Sequence, residues 1–330
     1  MSAMSRRAIL AAGAAALALP ATGRAATQLP DARIAPDREE MVPVPGGRVY
    51  VRINGRLDAA RPPIVLLHGG PGSSHWYFLN ATALADDRAV ILYDQLDSGR
   101  SDTPNDPANW VVPRFVAELE AIRQQLKIDR WHVLGASWGG TVALEYGARH
   151  RDRLASLVLQ SPLVSTPLWL RDARRLKDTM PPPIRALLDR CDVPGAVPQD
   201  QCDAATAAFY ARYVRLRTPP PAIAAYRDAL PRSFSEAIYT HMWGRAEFTA
   251  SGTLKAYDGT PLLQRLDARR TLFVAGAQDE AIPATVASFA KAVPGGARFA
   301  EVPDAAHSIM NDNPAGYLAL LRPWLTEHDA

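Results

Sequence analysis

From residue 40 onward the chain alternates runs of consecutive β-branched and other apolar residues with stretches whose apolar positions recur every three or four. The runs are GRVYVRI, PIVLLHGG, AVILYDQ, WHVLGAS and SLVLQSP, then, far downstream, TLFVAGAQD and ARFAEVPD. Continuous apolar runs predict strands buried on both faces, the pattern of a parallel sheet covered by helices. Between them, PRFVAELEAIRQQLKI sets Phe115, Leu119, Ile122 and Leu126 on one helical face. The class predicted is α/β, a doubly wound and mostly parallel sheet with helices on both faces.

The alternation stops near Leu163 and resumes at Thr271. The intervening residues hold PPP twice, both cysteines and several amphipathic helical patterns, with no strand pattern. They predict a helical cap inserted between two late strands of one sheet. The expected division is a core of residues 41–163 and 256–330, a cap of 164–255 and an exposed N-terminal arm of 26–40.

Residues 1–25 read as a signal peptide: Arg6 and Arg7 precede an apolar run from Ala8 to Leu19, and small residues surround Ala25. A run of about 12 residues is too short for a hydrocarbon core that needs roughly 20. The paired arginine resembles the twin-arginine export signal of bacteria, so the mature protein is expected to be periplasmic or secreted. Cleavage removes three of the 37 basic residues and none of the 34 acids. The mature chain is then neutral and without a block of like charge, so nothing electrostatic points to nucleic acid or a membrane surface as partner. A small substrate is expected instead. Cys191 and Cys202, in an oxidising compartment, are expected to pair locally; no neighbouring His or Cys completes a metal site.

Candidate chemistry lies where strands end. WHVLGA runs into Ser137 and then into the helical stretch TVALEYGARH, so GASWGG supplies G-x-S-x-G at a strand-to-helix junction, the context of a nucleophile elbow. A serine hydroxyl is a poor nucleophile unless a base takes its proton and a third group orients that base. Asp279 follows the strand TLFVAG, and His307 follows ARFAEVP; Glu280 and Asp304 are the alternative acids. All three side chains of a Ser137, Asp279, His307 set are expected at one edge of the sheet. The loop HGGPGSSHWY follows PIVLL, and its glycines leave backbone amides unobstructed. The N–H groups of Gly70 and of Trp138, the residue after Ser137, are the expected oxyanion donors.

On these residues the chain resembles the α/β-hydrolase peptidases of the proline iminopeptidase type. HGGPGSSHWY, YDQLDSGRSD and GASWGG are similar to that family's signatures in the same order, and WGRAEFTASGTLKAYD is similar to its cap segment. The resemblance implies a serine exopeptidase that releases an N-terminal residue, commonly proline, or a close relative acting on amino-acid amides, with no cofactor and no metal. It further implies that Glu247, the glutamate of the EF segment, holds the substrate's free amino group. The chain departs from the pattern in two places. Asp97 stands where the family often has glycine, and no second cap glutamate falls on a motif, Asp228 and Glu236 being the nearest candidates. The alternative reading keeps the triad in an esterase or lactonase pocket, with Glu247 reduced to a salt bridge with Arg245 or another arginine.

Overall fold

The computed structural model describes residues 32–57, 60–191, 193 and 195–330; the expected signal peptide lies outside them. Among the described residues ten strands form, β1 (Arg38–Val44), β2 (Gly47–Asn54), β3 (Ile64–Leu67), β4 (Val90–Tyr93), β5 (Trp131–Ala136), β6 (Leu154–Gln160), β7 (Gly244–Ala246), β8 (Thr249–Ala250), β9 (Thr271–Gly276) and β10 (Arg298–Val302). Eight of them make one sheet in the order β1-β2-β4-β3-β5-β6-β9-β10. The β1–β2 and β2–β4 pairs are antiparallel and all later pairs parallel.

Each central strand is buried on both faces because its residues alternate between two cores. Val65, Val133, Leu157 and Phe273 pack on one side, and Leu66, Leu134, Val158 and Leu272 on the other. Core helices α1 (Val112–Gln125), α2 (Trp138–Arg149), α8 (Pro283–Ala292), α9 (Ile309–Asp312) and α10 (Pro314–Glu327) cover these faces. The α1 face carrying Phe115, Leu119 and Ile122 is buried, as its spacing predicts.

Between β6 and β9 the chain leaves the sheet to form α3 (Thr166–Asp178), α4 (Pro182–Cys191), α5 (Gln199–Tyr213), α6 (Pro221–Asp228) and α7 (Glu236–Met242). A separate core of Ala173, Met180, Leu188, Phe209 and Phe248 holds part of this insertion together. The Cys191–Cys202 disulfide forms, with Cα atoms 5.7 Å apart, and ties the end of α4 to the first turn of α5. One expectation needs correction. The insertion is not wholly helical: β7 and β8 form a small antiparallel hairpin, too short to show alternation in sequence, with Glu247 and Phe248 at its turn. The described residues of the 26–40 stretch are exposed or half-buried, as expected of an exposed arm, but they do not stand apart from the sheet. Residues 38–40 belong to β1, and the Arg52 guanidinium, buried under this segment, donates to the carbonyls of Arg33 and Ile34, because a buried cation must find acceptors.

Candidate active site

Strand β5 turns into α2 within one residue, and Ser137 is that residue. Its backbone sits at φ 56° and ψ −121°, a sparsely populated region that costs on the order of 1–3 kcal/mol. The turn is possible only because of the glycines two residues to either side. A Cβ on Gly135 would collide with the Gly139 carbonyl, and one on Gly139 with the Leu67 carbonyl of β3. The crowding lifts Ser137 above the carboxyl edge of the sheet, where Gly69 of the neighbouring loop lies against its side chain.

That loop is fixed by a neutral histidine. His68 is fully buried, and burial drives its pKa down to about 4, against the weaker opposing pull of Asp94. Its Nε2 accepts from the Gln95 backbone N–H (3.1 Å), which leaves Nδ1–H to donate to the Gly69 carbonyl (3.0 Å). The Gln95 side chain donates to the His68 carbonyl (2.9 Å) and accepts from the Trp138 indole (2.9 Å). Gln95, from the YDQ stretch, thereby joins the Gly69–Gly70 loop to the residue after Ser137. Sequence reasoning did not single it out. Asp97, at φ 66°, tolerates its left-handed conformation with both carboxylate oxygens engaged, by Asn105 N–H and by the Trp110 indole, 2.8 Å each.

Asp279 and His307 come together from the ends of β9 and β10. His307 Nδ1 donates to Asp279 Oδ1 at 2.8 Å. Asp279 also accepts from Ala281 N–H (2.8 Å), Gly276 N–H (3.1 Å) and the Ser161 hydroxyl (2.5 Å), so four donors fix its orientation. Ser161, just past β6, is a further residue that sequence reasoning missed. Burial disfavours the charged imidazole of His307, yet Asp279 outweighs it by charge and hydrogen bond, with Glu247 and Asp312 adding, and the His307 pKa ends above its ordinary value. Ser137 and His307 line the same cavity, of roughly 730 Å³, together with Gly69 and Gly70. Of the alternative acids, Asp304 is exposed in the turn before His307, whereas Glu280 is buried beside it.

The insertion roofs this cavity and is hydrogen-bonded to the loops beneath. At the end of α5 the Tyr213 carbonyl accepts N–H groups from Glu280 (3.1 Å) and His307 (3.2 Å), and the Val214 carbonyl accepts from Ser308 (2.8 Å). The Trp169 ring of α3 stands edge-on to His307 at 5.6 Å, and its indole N–H holds the Glu247 carbonyl at 2.9 Å. Glu247, at the β7–β8 turn, faces the cavity. Its Oε1 accepts from the Tyr239 hydroxyl at 2.9 Å, and no salt bridge joins it to Arg245 or another arginine among the described residues. Burial raises its pKa, opposed by His307 and Tyr239.

A second carboxylate approaches from the core rather than the insertion. Glu280 Oε1 is 3.9 Å from His307 Nε2 and has no hydrogen-bond partner among the described residues. Burial, then the charges of Glu247 and Asp279, push its pKa well above the ordinary carboxyl range. Asp228, by contrast, is exposed and paired with Arg227, and Glu236 is exposed on the cavity wall. The signal for Glu280 was its adjacency to Asp279, which marked it as a competing acid rather than a companion.

The α/β-hydrolase-fold family matches residues 62–314. A proline iminopeptidase of Heyndrickxia coagulans is 36% identical over 291 residues, 87% of this chain and 98% of its own. Another, of Levilactobacillus brevis, is 36% identical over 88% of this chain and 97% of its own. The crystal structure of proline iminopeptidase from Mycobacterium smegmatis superposes with a TM-score of 0.78 at 34% identity, covering 88% of this chain and 99% of that one. The crystal structure of VinJ does so with a TM-score of 0.80 at 31% identity, over 89% and 99%. With Ser137 at its glycine-flanked turn and the insertion above it, the chain belongs to the proline iminopeptidase family of α/β hydrolases.

Proposed function

We propose that the protein is a serine aminopeptidase that releases N-terminal proline, or another small apolar residue, from short peptides and amides. The observation that carries this reading is a pair of carboxylates near His307: Glu247, which lines the cavity of Ser137, and the buried Glu280, whose Oε1 lies 3.9 Å from His307 Nε2. Two like charges held out of water are unfavourable unless a cation joins them. A protonated amino terminus supplies that cation, and its charge-assisted hydrogen bonds contribute roughly 1.5–3 kcal/mol.

In this reading Ser137 Oγ attacks the carbonyl carbon of the first residue while His307 Nε2 takes the hydroxyl proton. Asp279 keeps the imidazole in the tautomer that exposes Nε2 and offsets the charge that forms on the ring. The Gly70 and Trp138 amides receive the developing oxyanion. His307 then returns the proton to the departing amine, the C–N bond breaks, and water, activated by the same imidazole, hydrolyses the ester to Ser137. The paired arginine and apolar run of residues 1–25 and the Cys191–Cys202 disulfide support export to an oxidising compartment, which fractionation of the native host would test.

The test of the reaction is Ser137→Ala. It should abolish turnover of prolyl arylamides and covalent labelling by fluorophosphonates; surviving turnover or labelling would refute the assignment of the nucleophile.

A further inference from the structure

Beyond the two carboxylates, the cavity wall carries positive charge on the side of the Ser73–Tyr77 loop. Arg215 and Arg227 both line it, and both lie against one ring: their guanidinium carbons are 5.6 and 5.5 Å from the centre of Trp76. Trp76 is buried and held by its indole N–H on the Ser233 carbonyl. The two arginines differ in how they are satisfied. Arg227 is bound to Asp228 at 2.7 Å. Arg215 makes no salt bridge among the described residues, and its buried Nε has no acceptor. A guanidinium with an unused donor, beside an aromatic ring and on a cavity wall, is prepared for a planar anion.

Its place along the chain sets it close to the His307 backbone. Arg215 follows Tyr213 and Val214, whose carbonyls hold the backbone of His307 and Ser308. Its charge acts on Tyr77, whose hydroxyl donates to the His307 carbonyl. The charges acting on Glu247 and Glu280 are instead those of His307, Asp279 and one another. The cavity wall therefore presents the Glu247 carboxylate beside Tyr239 and the Arg215 guanidinium beside Trp76, with Ser137 between the loops that form it.

We propose that Arg215, with Arg227 beside it, binds a carboxylate on the leaving-group side of the substrate, so that the preferred substrate is a short zwitterionic peptide with a free C-terminus. This rests on the reading of the site as one that releases an N-terminal residue. The same chemistry could come from an acidic side chain in the second residue, and the substrates must separate the two.

The experiment compares kcat/KM for Pro-Ala, Pro-Ala amide and Pro-Asp amide in the wild type, Arg215→Gln and Arg215→Lys, with prolyl arylamide run on the wild type. The wild type should prefer Pro-Ala over its amide by about ten- to a hundredfold, as one charge-assisted contact supplies. Arg215→Gln should bring that ratio near one, and Arg215→Lys should restore it only in part, since lysine keeps the charge and loses the fork. Pro-Asp amide matching Pro-Ala would show that a side-chain carboxylate serves as well, and would overturn the requirement for a free C-terminus. A wild-type ratio near one, with the arylamide cleaved, would overturn the carboxylate site and leave the aminopeptidase reading standing. An arylamide left intact would overturn both.

Discussion

Glu280 Oε1 lies 3.9 Å from His307 Nε2, buried and with no donor to it among the described residues. A carboxyl group with a higher pKa in the folded than in the unfolded chain contributes its stability fully below the unfolded value and loses it as pH rises through the folded value. Glu280 is such a group. Glu280→Gln should therefore raise Tm at pH 8 by at least about 2 °C, with the difference fading below about pH 4, where both chains carry a neutral group. Thermal unfolding of the two proteins across that range is the check. A variant less stable than the wild type at pH 8 would show that the Glu280 charge is matched inside the apo site.

The same neighbourhood sets the pH profile. His307 works as a base only when neutral, so kcat/KM rises with pH through its pKa, which stands above the ordinary imidazole value of about 6.5. Measured on an acyl ester, which has no titrating amine, the acidic limb should turn above that value. Glu247→Gln removes one of the charges that stabilise the imidazolium and should move the limb to lower pH. An unmoved limb would mean that Glu247 does not act on His307.

The Ser137 turn predicts a steric result. Gly135→Ala places a methyl group against the Gly139 carbonyl, which is backbone and cannot rotate away. The substitution should cost roughly 1–3 kcal/mol by overpacking and displace Ser137, seen as lower Tm together with slower fluorophosphonate labelling. Normal labelling with unchanged Tm would contradict the geometry of the turn.

The disulfide closes an 11-residue separation within the insertion. By the chain-entropy model such a loop contributes up to about 3 kcal/mol. Because α5 ends in the Tyr213 carbonyl that holds both Glu280 and His307, replacing both cysteines with serine should speed protease cleavage between α4 and α5 and lower kcat together. Faster cleavage with unchanged kcat would uncouple the staple from the site.

What could be read from sequence and what could not divide on physical grounds. The strands from GRVYVRI to TLFVAG were legible because burial writes continuous apolar runs, whereas β10, an edge strand with only Val302 buried, was legible mainly from its place after TLFVAG; the strand ends pointed to Ser137, Asp279 and His307. REEMVPV was not legible as β1, because an edge strand with exposed charges lacks the apolar run. Ser161 could not be found, since its bond to Asp279 spans 118 residues and depends on β6 lying beside β9. Glu280 was visible only as a rival to Asp279; that it projects toward Glu247 is a property of the packed loop and not of the motif. Glu247 came from resemblance alone, and its packing against Tyr239 on the cavity wall is what suits a charged residue of the insertion to the proposed amine contact.

The account rests on recognition of a protonated amine by Glu247 and Glu280. Its most direct test is kcat/KM of the wild type and of Glu247→Gln for a prolyl arylamide, its N-acetyl derivative and a simple acyl ester. The account predicts that acetylation lowers wild-type turnover by about ten- to a hundredfold, and that Glu247→Gln produces a similar loss on the free amine with little change on the ester. Equal rates on the free and acetylated substrates, or equal losses on amine and ester in the variant, would contradict it.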